Sequence, residues 1–210
     1  LALALSIVGA GSAQAASAQD APSGYYVTRS TSAMGTAVQV RAYLPTQPTA
    51  TREAEIARHL EAAIAEIRRL EGLMTTWRPD SDISKINAKA GVDKVAVSPE
   101  VFEVLVRSQE FAQLSKGAFD ISFYALRGLW KFDDDIAPII PDDKEIRRRL
   151  PLINYRNILL SPKDRTVRLA KAGMAINLGG IGKGYAVDKA VQLLRSRGIE
   201  SGMVQAGGDL

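Results

Sequence analysis

Apolar residues recur at Ile56, Leu60, Ala63, Ile67, Leu70 and Met74, at spacings of 4, 3, 4, 3 and 4. That rhythm puts them on one face of a helix, with acidic and basic residues filling the other faces. The chain before it alternates instead: residues 25–31 and 37–44 predict two strands, parted by the small-residue break Ala33-Met34-Gly35-Thr36. Residues 46–51 predict a loop, and residues 75–84 a polar loop holding Trp77 and Pro79. A second helix opens with Ser98 as its cap and Pro99 in its first turn, and closes at Lys116-Gly117. Its apolar side carries Leu105, Val106 and Ala112. Residues 118–145 read as irregular, with an acidic run at Asp133-Asp134-Asp135 and prolines at 138 and 141. Residues 157–160 and 166–169 predict a hairpin around Ser161-Pro162-Lys163-Asp164, and residues 174–178 another short strand. A third helix runs from about Lys183 to Arg197 and stops at Gly198, and residues 201–205 begin a last strand. Helices and strands interleave without a regular βαβ rhythm and without internal repeats, so the expected class is α+β.

Composition adds bounds to that outline. The 210 residues are 46% apolar and 24% charged, a globular balance with enough apolar material for a core. The formal charge of +4 is spread along the chain apart from Arg147-Arg148-Arg149, and lacks the dense basic stripe with interleaved aromatics of a nucleic-acid footprint. No nucleic-acid partner is expected; an anionic small ligand suits the mild basic balance. There is no cysteine, which rules out a disulfide framework and a lipid-anchored cysteine in these residues. Residues 1–10 are apolar and small, and Ala13-Gln14-Ala15 follows with a signal-peptidase pattern. The apolar run is too short to span a bilayer. The expected organisation is an incomplete signal peptide over 1–15, a flexible segment over 16–24 and a domain over 25–210 that continues past the last residue. The expected location is outside the cytoplasm, in a periplasm. The single histidine, His59, falls on the polar side of the first long helix and reads as a solvated surface residue.

The chemistry concentrates in Ile176-Asn177-Leu178-Gly179-Gly180-Ile181-Gly182-Lys183-Gly184-Tyr185-Ala186-Val187-Asp188. Four glycines in six residues, after a strand and before a helix, let a backbone come close to a ligand. Amides at a helix N-terminus favour an anion, phosphate being the usual one, and Lys183 adds a positive charge there. A Walker loop would need Gly at 177 and Ser or Thr at 184, and the dinucleotide fingerprint fails on spacing. The run therefore indicates phosphate and leaves the ligand open; the alternative is a tightly packed strand-to-helix turn. Gly117 in Gly117-Ala118-Phe119-Asp120 suits a helix C-cap, with Asp120 as a loop residue. Trp77 is either a core plug or a stacking face for a planar ring.

Taken together these segments resemble the ApbE-type flavin transferases, which move FMN from FAD onto a threonine or serine hydroxyl of a target protein. The resemblance rests on Met34-Gly35-Thr36, Thr76-Trp77-Arg78-Pro79-Asp80-Ser81-Asp82-Ile83-Ser84, Gly117-Ala118-Phe119-Asp120, Leu129-Trp130-Lys131-Phe132, the 177–188 run and Gly207-Gly208-Asp209, in the family's order. It implies a T-fold-related α+β domain and Mg²⁺-dependent transfer with release of AMP. Met34 and Trp77 would contact FAD, Ala118, Phe119 and Asp120 would form a second part of the nucleotide pocket, and Lys183 would meet the diphosphate. Asn177, which stands where the family often has Asp, would also belong to the FAD pocket, and Gly180 would offer its carbonyl to Mg²⁺. Phe123-Tyr124-Ala125 replaces the more usual Val-Gly-Pro. The family's His-x-x-Asp-Pro segment, with the carboxylate and threonine that complete its metal site, is expected beyond residue 210, so no catalytic base is assigned. The implied partner is an acceptor Thr or Ser on a membrane or exported redox subunit. The alternatives are an FAD pyrophosphatase giving FMN and AMP, and a non-catalytic FAD-binding protein.

Overall fold

The computed structural model describes residues 24–130 and 140–210. The expected signal peptide, all but Gly24 of the flexible segment, the Asp133–Asp135 run, Pro138 and the Lys131-Phe132 pair lie outside the described residues.

Strands β1 (Tyr25–Ala33) and β2 (Thr36–Leu44) form a hairpin in register from Tyr25↔Leu44 to Ala33↔Thr36. The last strand of the chain, β6 (Gly202–Ala206), pairs antiparallel with β2 from Val38↔Ala206 to Ala42↔Gly202. Val38, Val40 and Ala42 alternate inward along β2 and meet the buried face of α1 (Ala50–Met74). That helix buries Ile56, Leu60, Ala63, Ile67, Leu70 and Met74, the residues whose spacing predicts it. It starts earlier than expected, because Thr49 caps it by accepting from the Arg52 amide; residues 50 and 51 belong to the helix and not to the loop. Its first turn is exposed, so no apolar rhythm marks it.

The second sheet holds β3 (Val95–Ala96), β4 (Ile158–Ser161) and β5 (Thr166–Leu169), antiparallel in the order β3-β5-β4. Helix α2 (Asp82–Ala88) occupies the end of the expected polar loop: Ser81 caps it, and Ile83 and Ile86 are buried. Helix α3 (Pro99–Leu114) begins at Ser98 as its sequence requires. Within the stretch expected to be irregular, a 3-10 helix runs over Ile121–Leu126, and α4 begins at Asp143 and ends at Arg149. Helix α5 (Gly182–Ser196) packs on α1 and β6. Both sheets and the long helices share one core that includes Val40, Leu60, Ile83, Leu105, Leu169 and Ile176.

Two other expectations change. Residues 174–178 are buried apart from the half-buried Asn177, as a strand would be, yet they join no sheet. The Asn87 side chain takes the place of a partner strand, donating Nδ2 to the Ile176 carbonyl at 3.0 Å and accepting its amide at 2.8 Å. The Asn177 amide donates to the Ile121 carbonyl at 3.0 Å. His59 is half-buried and not simply solvated: Glu55 lies 3.8 Å from its Nε2 and Arg197 3.5 Å from its Nδ1.

Candidate functional site

Three segments converge on the start of α5. The first is the tip of the β1–β2 hairpin, Met34-Gly35. Both residues have positive φ, 53° and 71°, which is the two-residue turn that matches the twist of paired strands. Gly35 adopts this freely, whereas Met34 carries a cost of roughly 1–2 kcal/mol for left-handed backbone. The tip is fastened to α1 by the Met34 amide, which donates to Glu71 Oε1 at 2.7 Å.

The second segment is the Trp77 loop. Ser81 Oγ donates to the Thr75 carbonyl at 2.6 Å, and Tyr124 Oη donates to Thr76 Oγ1 at 3.2 Å. Arg78 bonds both oxygens of Asp80, at 2.6 and 3.1 Å. Trp77 itself is 92% exposed, which rules out the core plug and leaves a free aromatic face.

The third is the glycine run. No glycine from 179 to 184 has positive φ, so backbone freedom is not their purpose. They keep space open. A Cβ on Gly179 would lie 2.9 Å from Asn177 Oδ1, and one on Gly180 would lie 3.3 Å from Phe119 Cε2. Gly182 is buried beside the Met34 Cε and the Met74 Sδ. Asn177 Oδ1 accepts the Gly179 amide at 2.7 Å and so shapes the entry to the run. No side chain caps α5, which leaves first-turn amides available to an anion. The Lys183 Nζ reaches only the Gly179 carbonyl, at 3.4 Å, and no carboxylate among the described residues pairs with it.

Two cavities meet here. The smaller, about 340 Å³, is lined by Met34, Glu71, Met74, Thr76, Trp77 and Asn177. The larger, about 880 Å³, lies between α3 and α5 and is lined by Arg107, Phe111, Gly180, Tyr185, Lys189 and Asp209, among others. Gly179 and Lys183 line both. Tyr185 Oη donates to Glu103 at 2.7 Å and Lys189 at 3.1 Å, and the Tyr185 bond holds the Glu103 carboxyl below the usual carboxylate range. Burial, reinforced by that carboxylate, pushes the Tyr185 hydroxyl pKa up, so it stays protonated.

Of the residues singled out in the sequence, Met34, Trp77, Asn177 and Lys183 line the smaller cavity and Gly180 and Lys183 the larger. Phe119 stands against Gly180 and edge-on to Phe111, with ring centroids 6.3 Å apart. Phe119 itself, Ala118 and Asp120 line neither cavity. The Asp120 carboxylate is a structural knot: Oδ1 accepts from the amide and hydroxyl of Ser122 at 2.8 and 2.6 Å, and Oδ2 from the Tyr155 amide at 2.8 Å. Glu71, Met74 and Arg107 were not signalled by the sequence, because on a helix they read as surface and core positions.

Among the described residues no three His, Cys, Asp or Glu side chains converge as a metal centre needs. Gly180 can offer one carbonyl, and these residues alone do not fit a Mg²⁺ site.

A family model described as the ApbE family matches residues 34–210. The FAD:protein FMN transferase of Treponema pallidum is 32% identical over 182 residues, which is 84% of this chain and 49% of that protein. The one from Klebsiella pneumoniae is 31% identical over 144 residues, 69% of this chain and 45% of that protein. The ApbE protein of Thermotoga maritima superposes with a TM-score of 0.75 at 30% identity, covering 88% of this chain and 57% of that one. The flavin transferase ApbE of Vibrio cholerae shares the fold, with a TM-score of 0.75 at 24% identity. The chain spans about half the length of the curated relatives it matches.

Proposed function

The chain belongs to the ApbE family, and on that premise we propose that it binds FAD across the two joined cavities and serves transfer of FMN to a protein hydroxyl. The observation that carries this reading is the meeting of the cavities at Gly179 and Lys183. FAD has two planar halves joined by a diphosphate, and a cation beside helix amides at the junction is where the diphosphate charge would be stabilised. Trp77 and Met34 offer an aromatic face and a polarisable side chain to one planar half. Phe119 packs behind Gly180, and Ala118 and Asp120 act through the turn that places it. Asn177 fixes the Gly179 backbone.

In the reaction, an acceptor Thr or Ser oxygen attacks the FMN phosphorus. The P–O bond to AMP breaks, AMP leaves, and the hydroxyl proton is released. The chain's residues bind and orient the diphosphate for in-line attack. Mg²⁺ dependence is expected from the family alone, since the described residues do not by themselves form a Mg²⁺ site. Export, from the apolar start and Ala13-Gln14-Ala15, and an exported or membrane redox subunit as acceptor complete it.

The test uses the full-length protein with FAD, Mg²⁺ and a candidate acceptor domain. Covalent flavin on the acceptor, with AMP in equal amount, is the expected result. FMN and AMP released without an acceptor would mark a pyrophosphatase. FAD bound and recovered intact would mark a non-catalytic binding protein. Fractionation of cells checks the location: protein confined to the cytoplasm contradicts export.

A further inference from the structure

Glu71 sits in the last turn of α1, where the helix dipole disfavours a carboxylate and where no basic residue offsets it. It is half-buried, lines the smaller cavity, and accepts the Met34 amide at 2.7 Å. Met34 is at the same time a non-glycine residue in left-handed backbone, with φ of 53°. Two locally unfavourable choices, 37 residues apart in the chain, thus meet in one hydrogen bond on the wall of the cavity. Unfavourable backbone and charge placement persist where the surroundings hold them in place, and they gather at functional sites. No other side chain donates to or accepts from the Met34 backbone among the described residues, so beyond the Ala33↔Thr36 end of the strand ladder Glu71 is the side chain that fastens the tip.

We propose that Glu71 is a positioning residue: it clamps the Met34-Gly35 tip in its left-handed turn and thereby sets the wall against which one planar half of FAD is held. The proposal rests on the FAD reading for its ligand but not for its geometry. The Met34 Cε reaches the Gly182 site, beside the Met74 Sδ, so a shift of the tip opens the cavity next to the glycine run. Glu71→Gln keeps an acceptor oxygen and preserves the clamp, whereas Glu71→Ala removes it. Met34→Gly makes the turn favourable without a clamp.

The test has a ligand-free arm and a ligand arm. Amide hydrogen exchange at Met34 is expected to be slow in the wild type and in Glu71→Gln, and about tenfold or more faster in Glu71→Ala. Unchanged protection in Glu71→Ala overturns the clamp. In the ligand arm, Glu71→Ala is expected to raise the FAD Kd about tenfold, and Glu71→Gln to hold it within about threefold. In a Met34→Gly background, Glu71→Ala is expected to add little, since the turn no longer needs holding. An equal loss in both backgrounds would show that Glu71 acts on the ligand directly and overturns positioning. A wild type that binds no FAD would sink the FAD reading, while exchange at Met34 still decides the clamp.

Discussion

Trp77 and Lys183 line the cavities of the proposed FAD site and carry little of the core. The indole is 92% exposed, so Trp77→Ala is expected to leave the melting temperature nearly unchanged. Loss of a stacking face for a planar ring is worth about 1–3 kcal/mol, so the same variant is expected to raise the FAD KM about ten- to hundredfold. A Lys183→Ala variant removes a charge-assisted phosphate contact of about 1.5–3 kcal/mol, with a similar expected rise in FAD KM. Steady-state kinetics check both, and an unchanged KM in both would exclude the junction as the diphosphate seat. Asp120 behaves in the opposite way. Asp120→Ala strips three donors of their acceptor and is expected to destabilise by about 1–3 kcal/mol in urea unfolding, through the turn rather than through direct ligand contact. At this scale the sequence signalled the residue types but not their employment. Asp120 and Ser122 are two apart, but the Tyr155 amide that completes the knot is 35 residues away.

Among elements, α1 and α5 determine where the site stands, and α1 was legible because its apolar stripe repeats over five turns. Leu60 is fully buried within that stripe, and Leu60→Ala is expected to cost about 2–5 kcal/mol in denaturant unfolding. Glu103 on α3 ties to Tyr185 and Lys189 on α5 across the larger cavity. Its carboxyl pKa is lowered in the folded state, first by the Tyr185 hydrogen bond, so the tie stabilises above the unfolded carboxyl pKa and is lost as pH falls through the folded one. The difference in melting temperature between wild type and Tyr185→Phe is therefore expected at neutral pH and should shrink in acid; a gap that grows on acidification contradicts the tie. What the chain hid at this scale was pairing. Residues 174–178 have the burial of a central strand, but Ile176 pairs with the Asn87 side chain and the Asn177 amide with the Ile121 carbonyl. Period and burial cannot distinguish a side-chain partner from a strand. Helix α2 leaves no periodic signal, because seven residues with two buried isoleucines are too few to define a period.

Over the whole molecule, the two sheets and the helices between them place a hairpin tip, an aromatic loop and an uncapped helix start around one junction. Each piece comes from a separate stretch of sequence, at 34–35, 75–81 and 177–184, so ordered short motifs identified the family while the distances between them came from the fold. The central claim is that FAD lies across that junction and donates FMN. The most direct measurement is mass spectrometry of an acceptor domain after incubation with the full-length protein, FAD and Mg²⁺, run beside the Lys183→Ala variant. The expected result is FMN in phosphoester linkage to a Thr or Ser of the acceptor, with AMP in equal amount and a slower rate for the variant at limiting FAD. An unmodified acceptor with no FAD bound and no AMP formed would contradict the claim.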